Sequence, residues 1–174
     1  MIKTENLKLV LCTTADAEAF EKGESEFAAR LNVSSIDPGW NVFPETMPFA
    51  FKYAAEQADQ WGMYYFIHRA DNILIGNGGF RGAPIDDAAV EIGYALSEKY
   101  RGRGLATEAA QGLIHFAFSF PSINIVQAHT LAEENASNYI LQKIGMKFVR
   151  AVCDPEDGDI WLWQLPRQEY IKQF

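Results

Sequence analysis

The run Tyr100-Arg101-Gly102-Arg103-Gly104-Leu105-Ala106-Thr107-Glu108-Ala109 sets two arginines and two glycines between an apolar, strand-like segment and a helix. Upstream, Val90-Glu91-Ile92-Gly93-Tyr94-Ala95-Leu96 has strand character. Downstream, Leu105, Ala109, Leu113 and Ala117 recur at the four-residue interval of one helix face, so a helix begins near Gly104. The first turn of a helix carries N–H groups without intrahelical partners and a partial positive charge, and both suit an anion. Glycine costs about 0.5–1 kcal/mol against alanine in regular structure, so two of them between arginines indicate a conformational requirement. The stretch reads as a phosphate cradle; a solvated Arg/Gly turn is the alternative that local composition leaves open. Two nucleotide motifs fit poorly. A Walker-type loop ends in Gly-Lys-Ser/Thr, whereas Leu105 and Ala106 follow Gly104, and a dinucleotide fingerprint needs a third glycine where this chain has Thr107.

The 174 residues are expected to form one domain spanning 1–174, large enough to bury about 70% of its unfolded surface. Hydrophobic residues at 48% and charged residues at 22% exclude an intrinsically disordered chain. No apolar run approaches the roughly 20 residues of a membrane span, and Met1-Ile2-Lys3-Thr4-Glu5-Asn6 is polar. The expectation is a soluble, cytoplasmic protein with no membrane partner. Cys12 and Cys153 lie far apart and outside any metal-ligand spacing, so they read as buried strand residues and no metal is expected. A net charge of −8 argues against nucleic acid as a partner. Lys99, Arg101 and Arg103 nonetheless concentrate positive charge locally, and Asp86-Asp87 before the central strand would favour a cationic amine.

Along the chain, Leu7 to Leu11 alternates like a first strand, and a helix is expected over roughly 15–31. The segment 32–48, with Asp37-Pro38-Gly39 and Pro44, reads as a long loop carrying Trp40 and Phe43; a second helix is expected over 49–60. Residues 64–69 and 73–76 flank Ala70-Asp71-Asn72 as a hairpin, and the strand at Val90 follows. After the helix at 104–118, a strand over 123–129 and a helix over 136–144 ending at Gly145 are expected. Two strands, 146–153 and 160–165, then bracket an acidic turn. The order is α+β: antiparallel strands around one strand–helix–strand unit.

That order and the cradle together resemble the GNAT superfamily of N-acetyltransferases, which use acetyl-CoA. The superfamily's phosphate motif is Arg or Gln, two residues, Gly, one residue, then Gly or Ala; Arg101, Gly104 and Ala106 fit it. Ser137 to Met146, with Lys143-Ile144-Gly145-Met146 at its end, resembles the Ser…Lys-x-Gly-Phe/Met segment of the ribosomal-protein alanine acetyltransferase (RimJ/RimL-like) branch. Thr4 to Leu9 and Trp161-Leu162-Trp163 are also similar to that branch.

The resemblance implies an α/β sandwich in which a mixed, mostly antiparallel sheet splays at its central parallel strands and carries helices on both faces. Acetyl-CoA would lie in the opening between the strand at Glu91–Leu96 and the strand at Ile125–His129. Its pantetheine would pair with backbone near Tyr94, Ala95 and Leu96. Its pyrophosphate would meet N–H groups from Arg101, Gly102, Arg103, Gly104, Leu105, Ala106 and Thr107. Two positions depart from the branch pattern. Glu134 stands where an asparagine is usual, so either the turn is one residue shorter and Asn135 contacts the cofactor, or Asn135 has another role. Leu141 stands where many members carry a proton-donating tyrosine.

Acetyl transfer to nitrogen needs a neutral amine, a donor near the developing oxyanion and a proton for the departing thiolate. Glu91 is the candidate base, resembling the strand carboxylate of the histone acetyltransferases; the alternative is a strand residue facing solvent or paired with an arginine. An ordinary carboxylate, with a pKa of about 4.3, is a weak base toward an ammonium, so a water relay or a more basic carboxylate would be needed. Ser137 is the candidate thiolate donor or a helix cap, and Tyr139 a further candidate. Trp40 and Phe43 either wall the acceptor pocket or anchor their loop. His68, His115 and His129 read as structural. The reading is an acetyl-CoA-dependent N-acetyltransferase acting by direct attack of a primary amine, either a protein N-terminus or a small amine, with a homodimer allowed. The alternative is a non-catalytic CoA-binding sensor or partner-binding module of the same fold.

Overall fold

Period-two alternation along the strands sends apolar side chains to both faces of one sheet, and helices cover each face. The computed structural model describes residues 1–85, 88–155 and 158–172, so the Asp86-Asp87 pair lies outside the described residues. The strands are β1 (Ile2–Lys3), β2 (Leu7–Leu11), β3 (Ser35–Ile36), β4 (Met63–His68), β5 (Ile73–Phe80), β6 (Ala89–Leu96), β7 (Ile125–Leu131), β8 (Lys147–Asp154) and β9 (Gly158–Pro166). They form a nine-stranded sheet in the order β1-β2-β4-β5-β6-β7-β9-β8, with β3 beside β5. The β6–β7 and β3–β5 pairs are parallel, and the other pairs are antiparallel. The helices are α1 (Thr14–Lys22), α2 (Glu24–Leu31), α3 (Met47–Glu56), α4 (Leu105–Phe118), α5 (Ala136–Lys143) and α6 (Arg167–Ile171).

On one face, Leu9, Phe66, Val90, Ile92, Val126 and Trp163 of the sheet pack against α4 and α5. On the other, Tyr65, Ile67 and Leu74 meet Phe27 of α2, Met47 of α3 and Trp40. Helix α4 buries Leu105, Ala109, Ala110, Gly112, Leu113, Ile114, Ala117 and Phe118, more than half of its length. A fully buried Leu, Ile or Phe side chain stabilises by about 1.5–3 kcal/mol, so this face fixes the N-terminus of α4 against the sheet.

Three expectations needed revision. The helix over 15–31 is two helices, because Gly23 adopts φ 110°, a conformation that L side chains rarely take, and ends α1 as it begins α2. The second helix starts earlier, at Met47 with Pro48 in its first turn, and stops at Glu56. The loop over 32–48 contains β3 and a short 3₁₀ turn at Pro44–Thr46. The strand before α4, the start of α4 after Gly104 and the end of α5 near Gly145 lie where the sequence puts them.

Helix α6 is too short to show a period in the sequence, and its first residue ties the fold together. Arg167 donates from Nε to Ile123 O at 2.7 Å, from Nη1 to Phe118 O at 3.0 Å and from Nη2 to Phe120 O at 2.5 Å. Those carbonyls close α4 and lead into β7, so one guanidinium sets the angle between the cradle helix and the strand after it. Arg167→Ala should leave these acceptors without their charged donor and destabilise the protein by about 1–3 kcal/mol. Urea unfolding checks this; an unchanged midpoint would show that water replaces the guanidinium at no cost.

Candidate active site

Strands β6 and β7 pair only at Ala89↔Ile125, Val90↔Val126 and Glu91↔Gln127. Beyond that point β6 pairs with β5 alone, from Phe80↔Ile92 to Gly76↔Leu96, while β7 continues along β9 to Leu131↔Ile160. The strands therefore part into a V-shaped opening. Arg81 N donates to Glu91 O, and Ser97 N donates to Ile75 O. By the alternation of an antiparallel ladder, residues 91, 93, 95 and 97 direct their backbone groups at β5; Ile92 directs its groups at β7, where the Glu91↔Gln127 parallel pair takes up its N–H, and Tyr94 and Leu96 direct theirs into the opening. Ala95, in register with Asn77, has its own groups on the β5 side. An edge with unpaired N–H and C=O groups inside a sheet invites an extended ligand.

At the end of β6 the chain makes a 3₁₀ turn, Glu98–Tyr100, and then the cradle. Gly102 and Gly104 have φ 72° and 77°, and a Cβ built on either would meet nothing within 4 Å. Glycine is required there by backbone conformation, and the space outside the loop is open. Gly104 is the N-cap of α4 without a side-chain cap, and the first α4 bond runs from Glu108 N to Gly104 O at 3.0 Å. The N–H groups of Leu105, Ala106 and Thr107 thus have no helical acceptor. Leu105 itself is buried in the core and contributes main chain only. Arg101 Nε donates to Leu96 O at 3.3 Å, and the Arg103 guanidinium lies 5.2 Å from the centroid of the buried Tyr100 ring. Backbone donors, a helix N-terminus and two placed cations fit a diphosphate, and the unpaired β6 edge fits an amide-bearing arm.

On the sheet face shared with α1–α3, Glu91 anchors a polar cluster. Its Oε1 lies 3.1 Å from His129 Nδ1 and 3.3 Å from Arg81 Nε, and its Oε2 accepts from Gln127 Nε2 at 3.4 Å. Gln127 Oε1 in turn accepts from Gln164 Nε2 at 3.3 Å. On the opposite face, Tyr94 packs against the α4 core. Burial pushes the Tyr94 phenol well above its ordinary pKa, and the nearby Ser137 side chain offsets this only in part. The buried Tyr94 hydroxyl makes no well-formed hydrogen bond. The two faces of the opening therefore carry different chemistry: acceptor groups on one, protonated hydroxyls on the other.

The model of the acetyltransferase (GNAT) domain family matches residues 6–147. The chain belongs to the GNAT family. It is similar to the uncharacterized N-acetyltransferase YoaA of Bacillus subtilis (strain 168), 28% identical over 153 residues, covering 84% of this chain and 82% of YoaA. It is 33% identical over 88 residues to the uncharacterized N-acetyltransferase YjdG of the same organism, spanning only half the length of each chain. Among solved structures, RimL, a ribosomal L7/L12 alpha-N-protein acetyltransferase in complex with coenzyme A, shares the GNAT fold, with a TM-score of 0.69 and 17% identity over 97% of this chain and 98% of RimL.

Within the GNAT frame, the other expected positions separate. Asn135 caps α5, its Oδ1 accepting from Asn138 N at 3.1 Å, and Asn138 Nδ2 donates to Glu133 O at 2.6 Å. Trp40 is only 6% exposed, packed among Phe27, Tyr65 and Phe20, so it anchors its loop. Asp37 bolts the same loop to the end of β6, accepting from Ser97 Oγ at 2.5 Å. Phe43 is half-exposed and can meet a ligand. Tyr139, at 68% exposure, faces solvent away from the core, and Leu141 is buried. His129, read from sequence as structural, is a member of the Glu91 cluster.

A groove of about 520 Å³ lies elsewhere, between β1 and α4, and includes Lys3 and Glu108. Burial alone would raise the Glu108 carboxyl, but hydrogen bonds from Thr4 and Asn6 outweigh it and hold the group below the usual carboxylate range. An ionised carboxylate in the wall makes that groove a poor diphosphate site. Among the described residues no group of three or more His, Cys, Asp or Glu could hold a metal ion. Nor is any helix among them long and apolar enough to cross a membrane.

Gly104→Asp places a carboxylate where an anion should sit and forces an L side chain to φ 77°. CoA affinity measured by calorimetry should fall at least tenfold, about 1.4 kcal/mol. A folded variant that binds CoA as the parent does would remove the cradle from the site.

Proposed function

We propose that this protein transfers the acetyl group of acetyl-CoA to a primary amine by direct attack. One observation carries the reading: the β6–β7 opening separates a carboxylate-centred cluster from a pair of hydroxyls, with a backbone-lined cradle at one end. Acetyl-CoA supplies an acetyl group activated as a thioester. Tyr94 and Leu96 offer backbone groups to its arm, and residues 101–107 offer N–H groups and arginines to its pyrophosphate. Glu91 and its partners assist deprotonation of the amine on one face. Ser137, beside the protonated Tyr94 phenol, supplies the thiolate's proton on the other. Addition to the thioester carbonyl and collapse of the tetrahedral intermediate need a proton acceptor near the amine and a proton donor near the sulfur, and the two faces can supply one each.

The same reading assigns residues 1–174 to one acyltransferase domain, working in the cytoplasm alone or as a homodimer. The Ser137 to Met146 segment and the RimL-like fold support placement in the RimJ/RimL-like branch, whose acceptor would be a protein N-terminus; a small amine is the other acceptor of this chemistry. Asn135 reaches the cofactor only through its side-chain N–H groups, because its oxygen is committed to the cap.

Thiol release measured across a panel of peptides with free N-termini and small primary amines tests the proposal. One free thiol should appear for each amide formed. A non-catalytic sensor would bind CoA yet release no thiol beyond the hydrolysis background with any amine. Ser137→Ala should lower kcat about tenfold or more while leaving CoA affinity within twofold; Ser137 lies inside α5 and Asn135 is its cap, so thermal stability should change little.

A further inference from the structure

We infer that His129 takes the proton from the amine and that Glu91 is its positioning residue, an inference that rests on the N-acetyltransferase reading above. His129 lies on β7 two residues beyond the last β6–β7 pair, at the point where the strands part. Val126 and Ala128 face the α4 core, so Gln127 and His129 face the other way, as Glu91 does. Glu91 Oε1 is 3.1 Å from His129 Nδ1. A carboxylate at that nitrogen fixes the Nδ1–H tautomer and leaves Nε2 with a lone pair. Among the described residues nothing hydrogen-bonds Nε2, and the side chain is 22% exposed, within reach of a substrate.

Glu91 is the poorer acceptor of the two. Both of its oxygens already accept, Oε1 from Arg81 and His129 and Oε2 from Gln127. A proton placed on it would displace those donors. It is suited to holding an imidazole in one orientation and to balancing the imidazolium that forms, the division of labour of a carboxylate–histidine pair. The charged groups facing the imidazole are Glu91 from β6 and, through it, Arg81 after β5; from β9 the neighbours are Leu162 in register and Gln164, both neutral. An unprotonated imidazole nitrogen is a stronger base than a carboxylate oxygen, which makes Nε2 rather than Glu91 the better proton acceptor.

The step balances without another reagent. The ammonium form of the acceptor gives one proton to Nε2, and the freed lone pair forms the C–N bond at the thioester carbonyl as the C–S bond breaks. The nitrogen loses its second proton and the sulfur gains one. The sum is amide, free thiol and one proton, which His129 passes to solvent.

The test compares His129→Gln, His129→Ala and Glu91→Gln with the parent, using kcat/KM from thiol release over pH 6–9, CoA calorimetry and imidazole ¹⁵N NMR. His129→Gln should lose about 10²–10⁴ in kcat/KM with CoA affinity within twofold. Added imidazole should restore part of the rate to His129→Ala, which a purely structural role would not allow. Glu91→Gln should lose less than His129→Gln, and its ¹⁵N spectrum should show the Nδ1–H preference of the parent weakened. His129→Gln within threefold of the parent at every pH, or a parent imidazole in the Nε2–H tautomer, would overturn the assignment. If the parent binds CoA yet acetylates no amine, the N-acetyltransferase reading fails and this role fails with it. If the parent turns over and only the histidine variants are silent in their effect, the role alone fails.

Discussion

The site depends on one constraint: β6 and β7 stop pairing after Glu91 and Gln127 although both strands continue. Each continuing strand keeps its outer partner, β5 for β6 and β9 for β7, so the sheet stays intact while its middle opens. Unpaired backbone groups in a protein interior are costly unless something satisfies them, and here water or an extended ligand must do so. The opening is held by packing on both sides. Helix α4 packs on β6, β1 and β2 on one face with more than half its residues buried, and Arg167 fixes its C-terminal end to the start of β7.

Because strand side chains alternate, splitting one sheet also sorts chemistry. Residues of odd number on β6 and β7 near the split face α1–α3 and include Glu91, Gln127 and His129; residues of even number face α4 and include Tyr94. In the proposed reaction a proton acceptor and a proton donor can therefore flank the same carbonyl without neutralising each other. The cations are sorted along the axis as well. Arg101 and Arg103 lie at the cradle, one bonded to Leu96 O and one stacked on Tyr100, whereas Arg81 is committed to Glu91. A chain with net charge −8 thus keeps a local positive site for an anionic ligand.

Much of this was legible from local sequence because local rules decide it. The cradle follows from glycines at positive φ before a 3.6-residue period, and the end of α5 from Gly145. What was not legible depends on register or on tertiary contacts. His129 could be placed on a strand but not beside Glu91, since that needs the β6–β7 pairing at Glu91↔Gln127. Trp40 sits in a segment whose composition says loop, and only its packing on Phe27 and Tyr65 shows that it is an anchor. The break at Gly23 was hidden because a single glycine is tolerated within helices, and α6 is too short to show a period. Asn135 carries a capping signal that could have been read from the asparagine preceding a helix.

A backbone-amide NMR titration with coenzyme A tests the central claim most directly, since it reports on the edge of β6 and the cradle in one spectrum without requiring turnover. The largest shifts are expected at Tyr94 and Leu96 and over residues 102–107, with β1 and β8 little changed. Shifts concentrated instead in the groove between β1 and α4, at Lys3, Gln111 and their neighbours, would contradict it.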